Sequence, residues 1–149
     1  NEVMGTRLIQ VDDVDGKLQA KELWTSRYLK PDFNDLVVHD GFVYGYDGAI
    51  LSCIDLADGK RKWKAGRYGK GQMLLIADSH QLVVLSETGE LVLVEATPVK
   101  HAERFKIQAI EGKSWNHLAI SGNRLLLRNA QEAVCYKLPE AGPATQVVD

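Results

Sequence analysis

The sequence predicts an all-β protein built from four-stranded antiparallel sheets, and two observations lead to that prediction. Short runs rich in Val, Ile, Leu, Tyr and Phe recur roughly every eight to twelve residues, with turn residues between them. Similar residues also recur at a fixed spacing of about 40 positions along the chain. No apolar stripe with a period of about 3.6 residues is sustained, so we expect no substantial helix.

The first half of the chain contains six predicted strands. The turns between the last four contain the dipeptides Asp40-Gly41, Asp47-Gly48 and Asp58-Gly59. Asp-Gly favours a type I′ hairpin turn, because both central residues of that turn have positive φ. The six predicted strands are residues 6–11, 18–24, 36–39, 42–46, 49–56 and 60–64.

The same order of strands and turns then begins again. A second group of four strands contains the turn Thr88-Gly89, and a third group of three strands follows it. The second group comprises residues 73–77, 81–86, 90–95 and 102–107, and the third comprises residues 117–121, 124–128 and 132–138. Strands linked by successive hairpins form an antiparallel meander.

An internal repeat relates these groups. Cys53, Val94 and Cys135 are separated by the same interval at each step, and Phe33-Asn34 and Trp115-Asn116 are separated by twice that interval. A period of about 40 residues with four strands in each unit is typical of β-propeller blades. We therefore expect about three to four blades of an incomplete propeller. The expected units are residues 1–30, 31–68, 69–112 and 113–140, followed by a C-terminal tail at 141–149.

One of these units contains a recognisable motif. Residues 53–63 read Cys-Ile-Asp-Leu-Ala-Asp-Gly-Lys-Arg-Lys-Trp. This segment resembles the quinoprotein (pyrroloquinoline-quinone-like) repeat, usually written Ala-x-Asp-x-x-Thr-Gly-x-x-x-Trp. Asp55, Gly59 and Trp63 match the motif, whereas its alanine and threonine are replaced. We expect Gly59 to supply the positive φ of a turn and Trp63 to cover a neighbouring blade.

The aromatic residue at the end of the motif recurs. Trp24, Trp63 and Phe105 occupy similar places in successive units. Residues 67–72 and 112–117 also look like the carboxy-terminal part of bacterial quinoprotein-like propeller proteins. That resemblance implies a larger parent of seven or eight blades and a periplasmic or otherwise exported location. No signal peptide is recognisable in the chain itself.

The resemblance also bears on the cofactor. Quinone-dependent members of the family use an adjacent cysteine pair and a calcium ion, whereas this chain has only Cys53 and Cys135. These occupy equivalent positions two units apart, and a disulfide requires Cα atoms within about 7 Å. We expect two unpaired core residues and no bound cofactor. The four histidines fall in different segments, without metal-ligand spacing, so we predict no metal site.

The candidate binding residues lie in the loops that precede the first strand of each unit. Such loops open beside the central channel of a propeller, where binding sites often form. Two interpretations of their repeated amides stay open: the amides cap backbone groups, or they form a ring that contacts a ligand or peptide. The candidates are Asn34, Arg67, Tyr68, Gln72, Trp115, Asn116 and His117.

Composition and motifs favour a binding protein over an enzyme. The formal net charge of −2 gives no basic surface for nucleic acid, and no apolar run is long enough to span a membrane. No Ser, Cys or carboxylate is spaced to act with His117. We expect a non-enzymatic binding or scaffold module for a protein or peptide partner. The alternative is a fragment of a quinone-dependent (pyrroloquinoline quinone) dehydrogenase.

The incomplete set of blades has its own consequence. Terminal blades of an open propeller expose apolar faces and free strand edges, which favour association. We therefore expect either the rest of a larger propeller or self-association to cover them.

Overall fold

The computed structural model describes residues 5–139, and within that range the protein is all-β, with thirteen strands and one 3₁₀ turn. All thirteen predicted strands are confirmed, with ends that differ by a few residues. The strands are β1 (Thr6–Val14), β2 (Lys17–Ser26), β3 (Val37–His39), β4 (Phe42–Asp47), β5 (Ile50–Asp55), β6 (Arg61–Arg67), β7 (Gln72–Ile76), β8 (Gln81–Leu85), β9 (Glu90–Glu95), β10 (Glu103–Gln108), β11 (Ala119–Ser121), β12 (Arg124–Arg128) and β13 (Ala133–Lys137). The predicted tail at 141–149 lies outside the described residues.

The strands form four antiparallel sheets in which each strand pairs with its neighbour along the chain. Sheet 1 contains β1 and β2, sheet 2 contains β3 to β6, sheet 3 contains β7 to β10 and sheet 4 contains β11 to β13. The meanders predicted from the hairpin turns are therefore present. Within residues 5–139 no helix has the length and apolarity needed to cross a bilayer.

The turn types are only partly as predicted. At Asp40-Gly41 both residues have positive φ, +48° and +80°, as a type I′ turn requires. At the next turn Asp47 pairs with Ile50 in the β4–β5 ladder, so the central residues are Gly48 and Ala49. Only Gly48 has positive φ there, which is the type II′ pattern. The type I′ prediction is wrong at that turn, because Asp47 belongs to the strand.

The turn at Asp58-Gly59 also departs from type I′. Gly59 has a φ of +69°, whereas Asp58 is not among the residues with positive φ. Its closing hydrogen bonds run from Asp55 N to Lys60 O and from Gly59 N to Asp55 O. This connection is therefore longer than a two-residue hairpin, although the glycine has the conformation that the motif predicted.

The two middle sheets are buried on both faces. Successive side chains of a strand point to opposite faces of the sheet. In β4, Val43 packs with residues of sheet 1, and Tyr44 packs with residues of sheet 3. In β8, Val84 faces sheet 2, and Val83 faces sheet 4. Apolar residues at consecutive positions therefore build two separate cores, and the sheets follow one another face to face.

Tryptophan side chains link neighbouring sheets at equivalent positions. Trp24 Nε1 donates to the Leu56 carbonyl oxygen at 3.0 Å, and Trp63 Nε1 donates to the Thr97 carbonyl oxygen at 2.8 Å. The two acceptors are one repeat apart along the chain, so the repeat extends to this hydrogen bond. Trp63 covers the neighbouring sheet as predicted. Phe105 does not, because it is 48% exposed.

The two end sheets each leave apolar side chains in contact with solvent. Val11 and Leu18 of sheet 1 are 58% and 78% exposed, and Leu126 of sheet 4 is 47% exposed. Cys53 and Cys135 are unpaired, as predicted, but only Cys53 is in a core. The core prediction is wrong for Cys135, because nothing within residues 5–139 packs over its side of sheet 4.

Candidate binding surface

The segments that precede β3, β7 and β11 meet at one end of the sheets. Asn34 Nδ2 donates to the Gly71 carbonyl oxygen. Gln72 Nε2 donates to the Trp115 carbonyl oxygen at 3.2 Å and, more weakly, to the Phe33 carbonyl oxygen at 3.5 Å. Three segments that are far apart in the sequence are thereby joined through side-chain amides.

The amides themselves are buried beneath this surface. Asn34 and Gln72 are only 7% and 2% exposed. Asn34 Oδ1 also accepts a hydrogen bond from Asp32 N at 3.3 Å. Both side chains bind backbone groups, which is the first of the two interpretations drawn from the sequence. The third amide, Asn116, is half-buried and makes no side-chain hydrogen bond with the described part of the chain.

An exposed pair of aromatic rings lies on top of the buried amides. The centroids of Phe33 and Trp115 are 5.6 Å apart at an interplanar angle of 60°, an edge-to-face arrangement. Phe33 is 47% exposed and Trp115 is 41% exposed. Gln72 binds the backbone carbonyls of both residues, so one buried side chain joins the two backbone segments that carry the rings. We call Phe33 and Trp115 the aromatic pair.

Charged side chains surround the aromatic pair. Lys113 Nζ lies 4.6 Å from the centre of a Trp115 ring, and Lys70 Nζ lies 5.9 Å from it. Both distances are within the range of cation–π attraction. Lys70 also forms an ion pair with Asp32 at 3.2 Å, whereas Lys113 has no ion pair within residues 5–139. One cation beside the rings is therefore available to an anionic group.

Glu87 fixes the indole of Trp115. Trp115 Nε1 donates to Glu87 Oε1 at 2.9 Å, and Lys70 N donates to Glu87 Oε2 at 3.1 Å. These two hydrogen bonds, first from the Lys70 backbone and then from the indole, lower the pKa of the Glu87 carboxyl. The carboxylate therefore stays ionised at neutral pH and holds the indole in one orientation. We call the surface formed by Phe33, Trp115, Lys70, Lys113 and Glu87 the mouth surface.

Two other predicted residues lie apart from the aromatic pair. His117 Nε2 is 3.4 Å from Asp35 Oδ2, and both side chains are more than half exposed. Arg67 ends β6 and is exposed, and its side chain makes no hydrogen bond or ion pair with the described residues. Neither contacts the aromatic pair.

Tyr68 lies in the core between sheets 2 and 3. It is 3% exposed, and its hydroxyl lies 2.8 Å from His101 Nε2 and 2.7 Å from Glu103 Oε1. Burial, followed by the hydrogen bond to Glu103, raises the pKa of Tyr68, and burial lowers the pKa of His101. The structure therefore assigns Tyr68 a position in the interior. The expectation that Tyr68 contacts a ligand together with the amides is wrong, because its side chain is buried.

Several members of the mouth surface were not among the predicted site residues. The repeat alone marks Phe33 in the sequence, and no motif marks Lys70, Glu87 or Lys113. One sequence signal could have found Phe33, because it is the repeat equivalent of Trp115, two periods earlier in the chain. Lys70, Glu87 and Lys113 have no such signal, since their contacts depend on how the loops approach each other.

The side chains of the mouth surface are suited to binding, and the buried Cys53 lies apart from them in a core. Burial raises the pKa of the Cys53 thiol to about 12, so Cys53 is not a reactive thiolate. Among residues 5–139, the side chains close enough together to hold a metal ion are His39, Asp40 and His80, which lie at or beyond the C-terminal ends of β3 and β7. The mouth surface can therefore offer ring faces, an ammonium group and carboxylates to a partner.

Comparisons with known proteins give no independent guide to this surface. No protein-family model matches the chain, and no curated protein matches it either.

Proposed function

We propose that the chain is a set of consecutive β-propeller blades whose mouth surface binds an extended peptide segment of a protein partner, without catalysing a reaction. The observation that carries this proposal is the aromatic pair, whose rings are exposed and whose backbone carbonyls are both bound by the buried Gln72. The propeller and the binding role rest on separate observations.

The propeller is supported by convergence of the sheets. Packed sheets lie about 10 Å apart, so equivalent points of sheets 2 and 4 in a parallel stack would be about 20 Å apart. The equivalent residues Phe33 and Trp115 have ring centroids only 5.6 Å apart. β3 and β7, the first strands of sheets 2 and 3, also contact each other. Sheets that fan out from a line beside their first strands are the arrangement of propeller blades.

The binding role is supported by aromatic side chains that are exposed and already ordered in the free protein. Tyrosine, tryptophan and arginine are enriched among the residues whose truncation most weakens protein–protein binding, and pre-ordered side chains lose little entropy on binding. Here Glu87 and Gln72 fix the Trp115 indole and its backbone before any partner arrives. Lys113 adds an ammonium group beside the rings. The partner that this surface fits is a peptide with an apolar or aromatic side chain next to a carboxylate.

A peptide-display selection against the full chain tests the proposal. We expect selected peptides to carry an aromatic residue next to Asp or Glu. Their affinity should fall at least tenfold, roughly the loss of one interface hot spot, in both Phe33→Ala and Trp115→Ala. Lys113→Ala should weaken binding less, and this smaller loss should diminish at high salt.

Phe105→Ala is the matched control. Phe105 is 48% exposed and Phe33 is 47% exposed, so both substitutions remove a half-exposed phenyl ring from a different part of the surface. Binding that is unchanged in Phe33→Ala and Trp115→Ala, or that falls equally in Phe105→Ala, would contradict the proposal. Circular dichroism establishes that each variant is folded.

The exposed faces of sheets 1 and 4 support a larger assembly. Their uncovered apolar side chains, such as Leu18 and Leu126, are the surface that a further blade would bury. We propose that the rest of a longer propeller, or a second copy of the chain, covers these faces. Size-exclusion chromatography with light scattering tests this, because a stable, well-behaved monomer would contradict it.

Two expectations from the family resemblance remain proposals of lesser weight. An exported, periplasmic location can be tested by following a tagged parent protein through cell fractionation. The quinone-dependent dehydrogenase alternative requires cofactor ligands outside residues 5–139, such as an adjacent cysteine pair. Dye reduction by the parent protein after addition of pyrroloquinoline quinone and calcium would favour that alternative.

A further inference from the structure

Two histidines and an aspartate meet where sheets 2 and 3 approach each other, beyond the ends of β3 and β7. His39 is the last residue of β3, Asp40 begins the turn into β4, and His80 follows the 3₁₀ turn at Ala77–Ser79. His39 and His80 are one repeat apart, so the repeat places them at equivalent positions of neighbouring sheets. The spacing of the histidines along the chain gave no indication of a metal site, because the ligands come from two sheets.

The three side chains direct one ligand atom each toward a common point. His39 Nε2 lies 2.7 Å from His80 Nδ1, and Asp40 Oδ2 lies 3.2 Å from each of these nitrogens. Zinc binds histidine nitrogen and carboxylate oxygen at about 2.0–2.2 Å, so adjacent ligands of a tetrahedral ion are about 3.3 Å apart. The two distances to Asp40 are close to that edge, whereas the histidine nitrogens, 2.7 Å apart, must separate by about 0.6 Å to bind one ion.

The hydrogen bond between the two histidines does not pair all three ligand atoms within the group. Each ring nitrogen of a neutral histidine is either a donor or an acceptor, and an ionised carboxylate only accepts. If one of the two facing nitrogens carries the proton, the other nitrogen and Asp40 Oδ2 are two acceptors facing each other at 3.2 Å. A cation at the common point would accept lone pairs from all three atoms at once.

We propose that His39, Asp40 and His80 bind one divalent transition-metal ion, with Zn²⁺ as the ion of choice. Imidazole nitrogen together with a carboxylate suits Zn²⁺ and its neighbours, whereas Ca²⁺ requires six or more oxygen ligands. Three protein ligands leave a fourth position for water or an exogenous ligand, as in open zinc sites. A solvent-open depression of about 360 Å³ is lined in part by His80, one of the three side chains.

The position of the site indicates what the ion would do to the fold. His39 and Asp40 belong to sheet 2, and His80 belongs to sheet 3, so one ion would join two neighbouring sheets. A ligand that binds only the folded protein raises its stability in proportion to the logarithm of ligand concentration above the dissociation constant. Metal binding at this point would therefore strengthen the contact between sheets 2 and 3.

The proposal is tested with the full chain, prepared without a histidine tag and treated with chelator. We expect isothermal titration calorimetry to show one Zn²⁺ per chain, and Co²⁺ to give visible absorption bands of a low-coordinate nitrogen-containing site. Loss of an outer hydrogen-bond partner of a metal ligand weakens binding about 10–100-fold, so removing a direct ligand should weaken it at least as much. We expect that loss in His39→Ala, His80→Ala and Asp40→Asn.

His117→Ala is the matched control, since His117 also contacts a carboxylate, Asp35, at 3.4 Å, but has no second histidine beside it. It should bind Zn²⁺ like the unmodified chain. Zn²⁺ should also raise the melting temperature of the unmodified chain and of His117→Ala but not of His80→Ala, a substitution of a side chain that is 64% exposed. Failure of the unmodified chain to bind Zn²⁺ or Co²⁺ saturably, or equal binding by His80→Ala, would overturn the proposal.

Discussion

Trp63 of sheet 2 should contribute far more to the stability of the fold than Phe105, which occupies the corresponding place in sheet 3. Trp63 is 9% exposed and donates a hydrogen bond to Thr97, whereas Phe105 is 48% exposed. The sequence repeat treats the two residues as equivalents. If burial rather than position in the repeat sets the contribution to stability, Trp63→Ala will lower the free energy of unfolding more than Phe105→Ala.

The expected magnitudes differ clearly. Truncating a buried tryptophan or phenylalanine to alanine costs about 3–5 kcal/mol, and we expect that cost for Trp63→Ala. Full burial of a phenylalanine side chain contributes about 1.5–3 kcal/mol, so half-exposed Phe105→Ala should cost about 1 kcal/mol. Trp63→Phe keeps a ring and removes the indole donor to a partly buried carbonyl, which should cost about 1 kcal/mol from the lost hydrogen bond, plus a packing loss.

Urea unfolding followed by far-ultraviolet circular dichroism measures these differences, because tryptophan fluorescence changes with the substitution itself. The slope of free energy against urea should stay constant while the midpoint shifts. A domain of this size has only about 5–15 kcal/mol of stability, so Trp63→Phe is the informative variant if Trp63→Ala does not fold. The reasoning would be refuted if Trp63→Ala or Trp63→Phe cost no more than Phe105→Ala.

Three further predictions concern backbone, pH and thiol chemistry. Gly89→Ala should be more destabilising than Gly41→Ala by urea unfolding: both glycines have positive φ, +86° and +80°, but a Cβ at Gly89 would meet a backbone carbonyl oxygen and one at Gly41 would meet nothing. The pKa of His101 is lowered from 6.5 by burial, so the unfolded chain binds the proton more tightly. The free energy of unfolding should therefore fall as pH drops below about 6.5, and His101→Gln should reduce that slope; an unchanged slope would contradict the assignment. A thiol reagent should label Cys135 in the native protein and Cys53 only after unfolding, and equal native labelling would show that Cys53 is not buried.

Much of the architecture could be predicted from local sequence. The thirteen strands follow from runs of β-branched and aromatic residues between glycine-containing turns, and each is present. The turn at Asp47-Gly48 was misassigned, because the dipeptide does not reveal that Asp47 is paired across the ladder with Ile50. Strand register determines which residues occupy the centre of a turn. Register depends on the pairing partner as well as on the dipeptide.

The candidate site was predictable only in part. The repeat brought attention to Asn34, Gln72 and Trp115, and the structure places all three where the first strands begin. The direction of each side chain was beyond the sequence. Tyr68 comes directly after Arg67, the last residue of β6, yet its ring enters the core between the sheets and its hydroxyl donates to Glu103.

By itself the sequence determined the strands, their order and the period that makes successive sheets equivalent, because hydrophobic alternation and turn residues are local properties of the chain. Only the tertiary structure decided which equivalent residues meet. Phe33 lies beside Trp115, and His39 beside His80, because separate sheets converge at those points. Contacts between sheets depend on angles and distances that accumulate over one or two whole repeats, and no short segment encodes them.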